Sequence, residues 1–135
     1  MKSWKTRIKI EAPAEKVWET LIDFTDAGKW NPNVSSSTIL TEGPIGKGTK
    51  VEVRSRGRQT YLTITDFKLN NFLSTDVEMG KTKGKSEFRL QEVDGTTTLD
   101  QTMRLDLKGM ARLFSIFIAG SLEKEFKALK EWIEG

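Results

Sequence analysis

With 135 residues, no cysteine and no histidine, the chain is sized for one domain, 1–135, and has no disulfide framework, thiolate zinc site, cysteine nucleophile or Ser-His-Asp triad at its disposal. Hydrophobic residues make up 36% and charged ones 30%, with four Trp and seven Phe, which is enough apolar bulk to form a core without metal or cross-link. The formal charge of +3 is small and mostly interleaved, so no nucleic-acid partner is expected, and no stretch approaches the ~20 apolar residues that cross a bilayer.

The chain opens on Trp4, Thr6, Ile8 and Ile10 alternating with Lys5, Arg7 and Lys9, a period of two that predicts a half-buried strand. Pro13 then introduces a helix in which Val17, Trp18, Leu21 and Ile22 form one apolar stripe ending near Asp23. A second short helix is expected around Thr25 to Lys29, and Pro32 turns the chain after Trp30-Asn31. From Val34 onward, Gly and Asn/Asp-Gly punctuation divides the sequence into six further strands, at 35–40, 49–55, 59–67, 72–79, 85–93 and 96–107. Arg54, Arg56 and Arg58, and again Lys81, Lys83 and Lys85, sit beside glycines in expected hairpin tips, where charge is solvated. The last segment, from about Lys108 to Ile133, predicts one long amphipathic helix. Phe114, Ile118, Leu122, Phe126, Leu129, Trp132 and Ile133 share an arc of it, while Leu113 and Ile116 fall outside that arc and need a partner of their own.

A curved sheet and a single helix do not fill each other's concavity, so a pocket is expected between them. Strand alternation supplies its apolar lining: Val51, Val53, Leu62, Ile64, Leu73, Val77, Phe88, Leu90, Leu99, Met103 and Leu105, with Phe114, Ile118 and Leu122 from the helix. Polar residues in the apolar phase are the informative ones, because a buried polar group is costly unless satisfied. Gln101 stands between Leu99 and Met103, Thr75 between Leu73 and Val77, and Ser55 continues the row of Val51 and Val53. Ser121 and Glu125 fall inside the apolar arc of the last helix. Glu125 reads either as a ligand or proton-transfer group with a raised pKa or, as the plainer expectation, as a solvated residue paired with a nearby lysine. Trp30 is a candidate aromatic wall; Tyr61 is in outward phase and is the weaker candidate.

The run Ile8-Lys9-Ile10-Glu11-Ala12-Pro13-Ala14-Glu15-Lys16-Val17-Trp18 resembles the opening of the SRPBCC, or START-like, superfamily. Asp23-Phe24, Trp30-Asn31-Pro32, Gly43 to Gly48 and Leu129-Lys130-Glu131-Trp132-Ile133-Glu134 continue the likeness along the whole chain, most closely to its polyketide cyclase/dehydrase and lipid transport branch. The resemblance implies an α+β helix-grip fold, START- and pollen-allergen-like. In it a curved seven-stranded antiparallel sheet surrounds a long C-terminal helix, with two short helices after the first strand. It also implies a hydrophobic ligand such as a lipid, polyketide or quinone in the internal cavity, carried or sequestered. A polyketide cyclase/dehydrase-type enzyme and a chaperone-binding or other protein-interaction module are the alternatives, since the fold hosts all three. Catalytic residues are unassigned, and the absence of a nucleophile-base pair, a metal-ligand set or a phosphate loop weighs against an enzyme. No cofactor and no stable membrane attachment are expected, a homodimer is an open expectation, and the location is expected to be cytoplasmic.

Overall fold

The computed structural model describes residues 1–135 apart from Arg56 and the side chains of Met110, Ala111 and Phe114. Strand β1 (Lys2–Ile10) leads into helix α1 (Ala14–Ile22) and a 3-10 helix, Phe24–Lys29. The meander follows as β2 (Ser36–Ile39), β3 (Lys50–Ser55), β4 (Arg58–Lys68), β5 (Phe72–Met79), β6 (Thr82–Val93) and β7 (Thr96–Asp106). A second 3-10 stretch, Gly109–Phe117, precedes helix α2 (Ile118–Glu134). The sheet runs β1-β7-β6-β5-β4-β3-β2 with every neighbouring pair antiparallel, so the first two strands in sequence stand at opposite edges and α1 spans the distance between them. Arg56 of the basic hairpin set lies outside the described residues, and Lys83 and Lys85 belong to β6 rather than to a tip.

Two local features curve the sheet. A bulge in β4 between Ile64 and Asp66 inserts an extra residue and bends the strand. Near the start of β6, Gly84 faces Val77 on one side and Leu105 on the other, and a Cβ there would overlap the carbonyl oxygen of Arg104. Glycine therefore lets β6 and β7 approach where a side chain would hold them apart. The β6–β7 hairpin closes through Asp94 and Gly95, both at positive φ, which matches the right-handed twist of the flanking strands.

The core lies at one end of the concave face. Ile10, Val17, Trp18, Ile64, Leu73, Leu90 and Leu99 pack with Phe126, Leu129 and Ile133 of α2, and the Trp18 ring meets Phe67 edge-on at 5.1 Å. Pro13 caps α1 without a side-chain bond, and Glu92 of β6 supplies the missing acceptor, taking the Ala14 N–H at 2.7 Å. Buried Thr97 donates its hydroxyl to the Ala12 carbonyl at 2.7 Å and fixes the same corner. The end of α2 is tied to this closed end of the sheet by Lys130, whose ammonium donates to the Lys9 carbonyl at 2.8 Å and to Glu134 at 2.6 Å. Glu134 in turn accepts the Glu11 N–H at 3.0 Å.

The single long helix expected from Lys108 is corrected to a 3-10 run followed by a 17-residue α-helix. The 3-10 run begins at Gly109, at positive φ, and no side chain caps its first turn. Ser115 is its one buried side chain among the described residues, and accepts a 3.4 Å bond from Lys2. Leu113, Ile116 and Phe117 are all more than half exposed. Trp132 is likewise 52% exposed rather than facing the sheet. Neighbours on an α-helix point about 100° apart, and Leu129 and Ile133 hold the inward line. Among the described residues no helix is long and apolar enough to cross a membrane.

The close approach at Gly84 sets the first expected outcome. Gly84→Val should cost about 1–3 kcal/mol through overpacking and lower the melting temperature by several degrees. Gly120→Ala, where nothing lies within 4 Å of the new Cβ, should leave it unchanged or raise it. Equal melting of the two variants would mean that β6 does not need its glycine.

Candidate functional site

Away from the closed end, the sheet and α2 diverge around a cavity of about 320 Å3, at the lower end of the range typical of small-molecule sites. Its floor comes from alternate residues of β3 to β7. Val53, Leu62, Leu73, Val77, Phe88, Met103 and Leu105 give an apolar surface, interrupted by Thr75, Ser86 and Gln101 on three adjacent strands and, nearer the other edge, by Ser37, Ser55 and Thr60 on β2 to β4. Its roof is the Ser121, Glu125, Phe126 and Leu129 face of α2, and Phe126 lies over Phe88 with ring centres 6.3 Å apart. Leu21, Phe24, Ala27, Trp30, Asn31, Asn33 and Val34, from α1 and the turns after it, form the third wall.

Two polar stations punctuate this lining. At the first, buried Gln101 donates its Nε2 to Ser86 Oγ at 3.1 Å, while no donor among the described residues reaches its Oε1. At the second, the turn around Pro32 grips α2. The Asn31 side chain accepts the Asn33 N–H at 2.9 Å, a side-chain turn that presents both amides outward from the loop. Asn31 Nδ2 then donates to Glu125 Oε1 at 2.6 Å, and Asn33 Nδ2 donates to the Ser121 hydroxyl at 2.8 Å and to its carbonyl at 3.3 Å. Burial pushes the Glu125 carboxyl above its ordinary pKa, and the hydrogen bonds from Asn31 and Asn33 oppose that rise only in part. The partner of Glu125 is thus Asn31, and the expectation of a solvated glutamate paired with lysine is corrected.

Of the residues singled out in the sequence, Trp30, Val53, Ser55, Leu62, Leu73, Thr75, Val77, Phe88, Gln101, Met103, Leu105, Ser121 and Glu125 line the cavity. Val51, Ile64, Leu90 and Leu99 do not: they belong to the packed core, where the helices lie directly on the sheet and leave no space. Leu122 is buried beside the lining rather than on it, and Ile118, at the partly buried start of α2, is also off it. The side chain of Phe114 lies outside the described residues. Tyr61 points away from the cavity, 5.2 Å beneath the Lys50 ammonium. The alternation that found Phe88 also placed Ser86 on the inner face, and this signal was open to use. Asn31 and Asn33 carried no signal beyond that of a turn, since their partners lie about ninety residues away.

Among the described residues no group of His, Cys, Asp and Glu could hold a metal ion. Glu125 is the one ionisable side chain on the lining among the described residues. The arrangement can therefore hold an apolar body, offer an acceptor at Gln101, and hold or release a proton at Glu125.

The sequence matches, over residues 1–134, the family described as polyketide cyclase / dehydrase and lipid transport. No curated protein matches it. Among solved structures, a START superfamily protein from Mycobacterium smegmatis superposes with a TM-score of 0.82 at 18% identity, covering 98% of this chain and 97% of that one. An aromatase/cyclase from a Streptomyces species gives 0.79 at 15% identity, with 98% and 93% covered. The Aha1 dimer from Colwellia psychrerythraea gives 0.76 at 20% identity, with 99% and 97% covered. At these identities the likeness establishes the helix-grip fold.

The raised pKa of Glu125 has a defined thermodynamic sign. The folded state holds this proton more tightly than the unfolded chain, so the associated stability is fully present below the unfolded pKa and is lost as pH rises through the folded one. Glu125→Gln removes that titration and keeps an acceptor for Asn31. Thermal denaturation across pH 4 to 8 should show the variant gaining on the parent as pH rises, by an amount that levels off above the folded pKa. A constant difference across the range would place Glu125 in water.

Proposed function

The chain belongs to the polyketide cyclase / dehydrase and lipid transport family, and from that premise we propose that it binds a hydrophobic small molecule, of the lipid, polyketide or quinone kind, for carriage or sequestration. The observation that carries this reading is the cavity itself. Protein interiors pack with few voids larger than a water molecule. A space of about 320 Å3 lined mainly by aliphatic and aromatic side chains is room for a ligand rather than a packing defect. The whole chain acts in this reading as one binding unit, and the lining residues of β3 to β7 and α2 are its ligand contacts. The lack of cysteine fits a reducing, cytoplasmic setting.

A second reading, the cyclase type of enzyme, is favoured by one feature, the partly desolvated carboxyl of Glu125 at the cavity wall. In that reading the apolar walls fold the substrate and Glu125 moves a proton to or from a carbonyl-bearing chain. A homodimer would draw on the exposed side chains of Leu113, Ile116 and Phe117, whose burial against a second copy is worth about 1.5–3 kcal/mol each.

Filling the cavity separates binding there from binding elsewhere. Val53 is only partly buried and sits on the lining, so Val53→Phe can project into free space without crushing the core. Uptake of an apolar fluorescent probe should weaken by about tenfold, or ~1.4 kcal/mol, while the melting temperature stays within a few degrees. Unchanged uptake with an intact fold would move the ligand site out of this cavity.

A further inference from the structure

We infer that the ligand is a neutral apolar molecule carrying a hydroxyl group, an alcohol or a phenol, and that the hydroxyl donates to Oε1 of Gln101. This rests on the cavity being the ligand site and goes further by naming the head group. The first support is an unmet acceptor. Gln101 is 3% exposed, its Nε2 is engaged by Ser86, and its Oε1 is buried with no donor among the described residues. Nearly all buried polar atoms in folded proteins find a partner, so an amide oxygen left open on the wall of a cavity marks where a partner enters. Its neighbours Thr75 and Ser86 are 3% and 4% exposed, so Gln101 sits in a polar patch on β5 to β7, apart from Ser37, Ser55 and Thr60 on β2 to β4. The buried Ser37 hydroxyl also lacks a partner among the described residues, but a hydroxyl both donates and accepts and so does not select the head group, whereas the Gln101 oxygen only accepts.

The second support is charge. No lysine or arginine lines the cavity among the described residues, and its one ionisable wall group is the acid Glu125. A carboxylate or phosphate head would have to lose its hydration with no cation to receive it, and would face Glu125 besides. A ketone, ester or ether is neutral but has no hydrogen to give. A hydroxyl is neutral, donates to Gln101, and can still accept from the Thr75 or Ser86 hydroxyl.

The inference is tested with three probes of one ring system: naphthol, methoxynaphthalene, which keeps the oxygen and loses the donor, and naphthoic acid at neutral pH. Titration calorimetry of the full chain should give naphthol about tenfold tighter than its methyl ether, and naphthoate the weakest of the three. In Gln101→Met the preference of naphthol over the ether should shrink to within about twofold, with ether affinity kept. If that single variant fails to fold, Gln101→Met/Ser86→Ala removes both ends of the hydrogen bond and serves in its place, because deleting both partners is better tolerated than deleting one. Equal affinity for naphthol and ether in the parent protein would overturn the assignment while leaving the cavity as a binding site. So would a preference that survives in Gln101→Met. If none of the three binds and the apolar probe is also refused, the ligand reading itself falls, and this inference with it.

Discussion

The architecture depends on how α2 is held. Its C-terminal half is pinned to the end of β1 by Lys130 and Glu134, and its N-terminal half is gripped by Asn31 and Asn33 through Glu125 and Ser121. Between those fixtures only one helix crosses a strongly curved sheet. Leu129 and Ile133 reach the core at the closed end, whereas Ser121 and Glu125 stand over open space. A helix held at one end alone could tilt down and close that space. Held at both, it bridges the sheet and leaves a cavity beneath it, and the rest of the site follows from that.

Sheet curvature supplies the other half of the constraint. The β4 bulge and the close approach at Gly84 bend the strands around α2, so their inner side chains converge from several directions instead of forming a flat layer. Convergence at the end filled by α1 gives a dry core around Trp18 and Leu99. At the other end the same curvature has nothing to enclose, and Thr75, Ser86 and Gln101 become tolerable on an inner face where polar groups would otherwise be costly.

Much of this was legible in the sequence because strand alternation has a strict period of two. That period placed Gln101 and Thr75 indoors and Tyr61 outdoors, and the structure agrees on each. What it does not encode is position along the strand relative to the closed end. Ile64, Leu90 and Leu99 share the phase of the lining residues yet serve the core, because α1 fills their end of the sheet. Helical phase held within α2 for Leu122, Phe126, Leu129 and Ile133, with Trp132 the exception, and it left Leu113 and Ile116 off that arc, where both are exposed; what failed was the continuity of the helix. From Gly109 to Phe117 the backbone is 3-10, so angles counted at α-helical pitch do not apply there, and an apolar run that reads as continuous helix changes geometry at Ile118. The clamp of Asn31 and Asn33 on α2 depends on contacts far apart in sequence, which local patterns do not carry.

The central claim is that the space under α2 exists to be occupied. Native mass spectrometry of the intact chain purified from its own host tests it most directly. The account predicts a one-to-one adduct that is released on denaturation and identified as a neutral apolar molecule. A bare polypeptide mass in repeated preparations, unchanged after incubation with a lipid extract of the same cells, would contradict it.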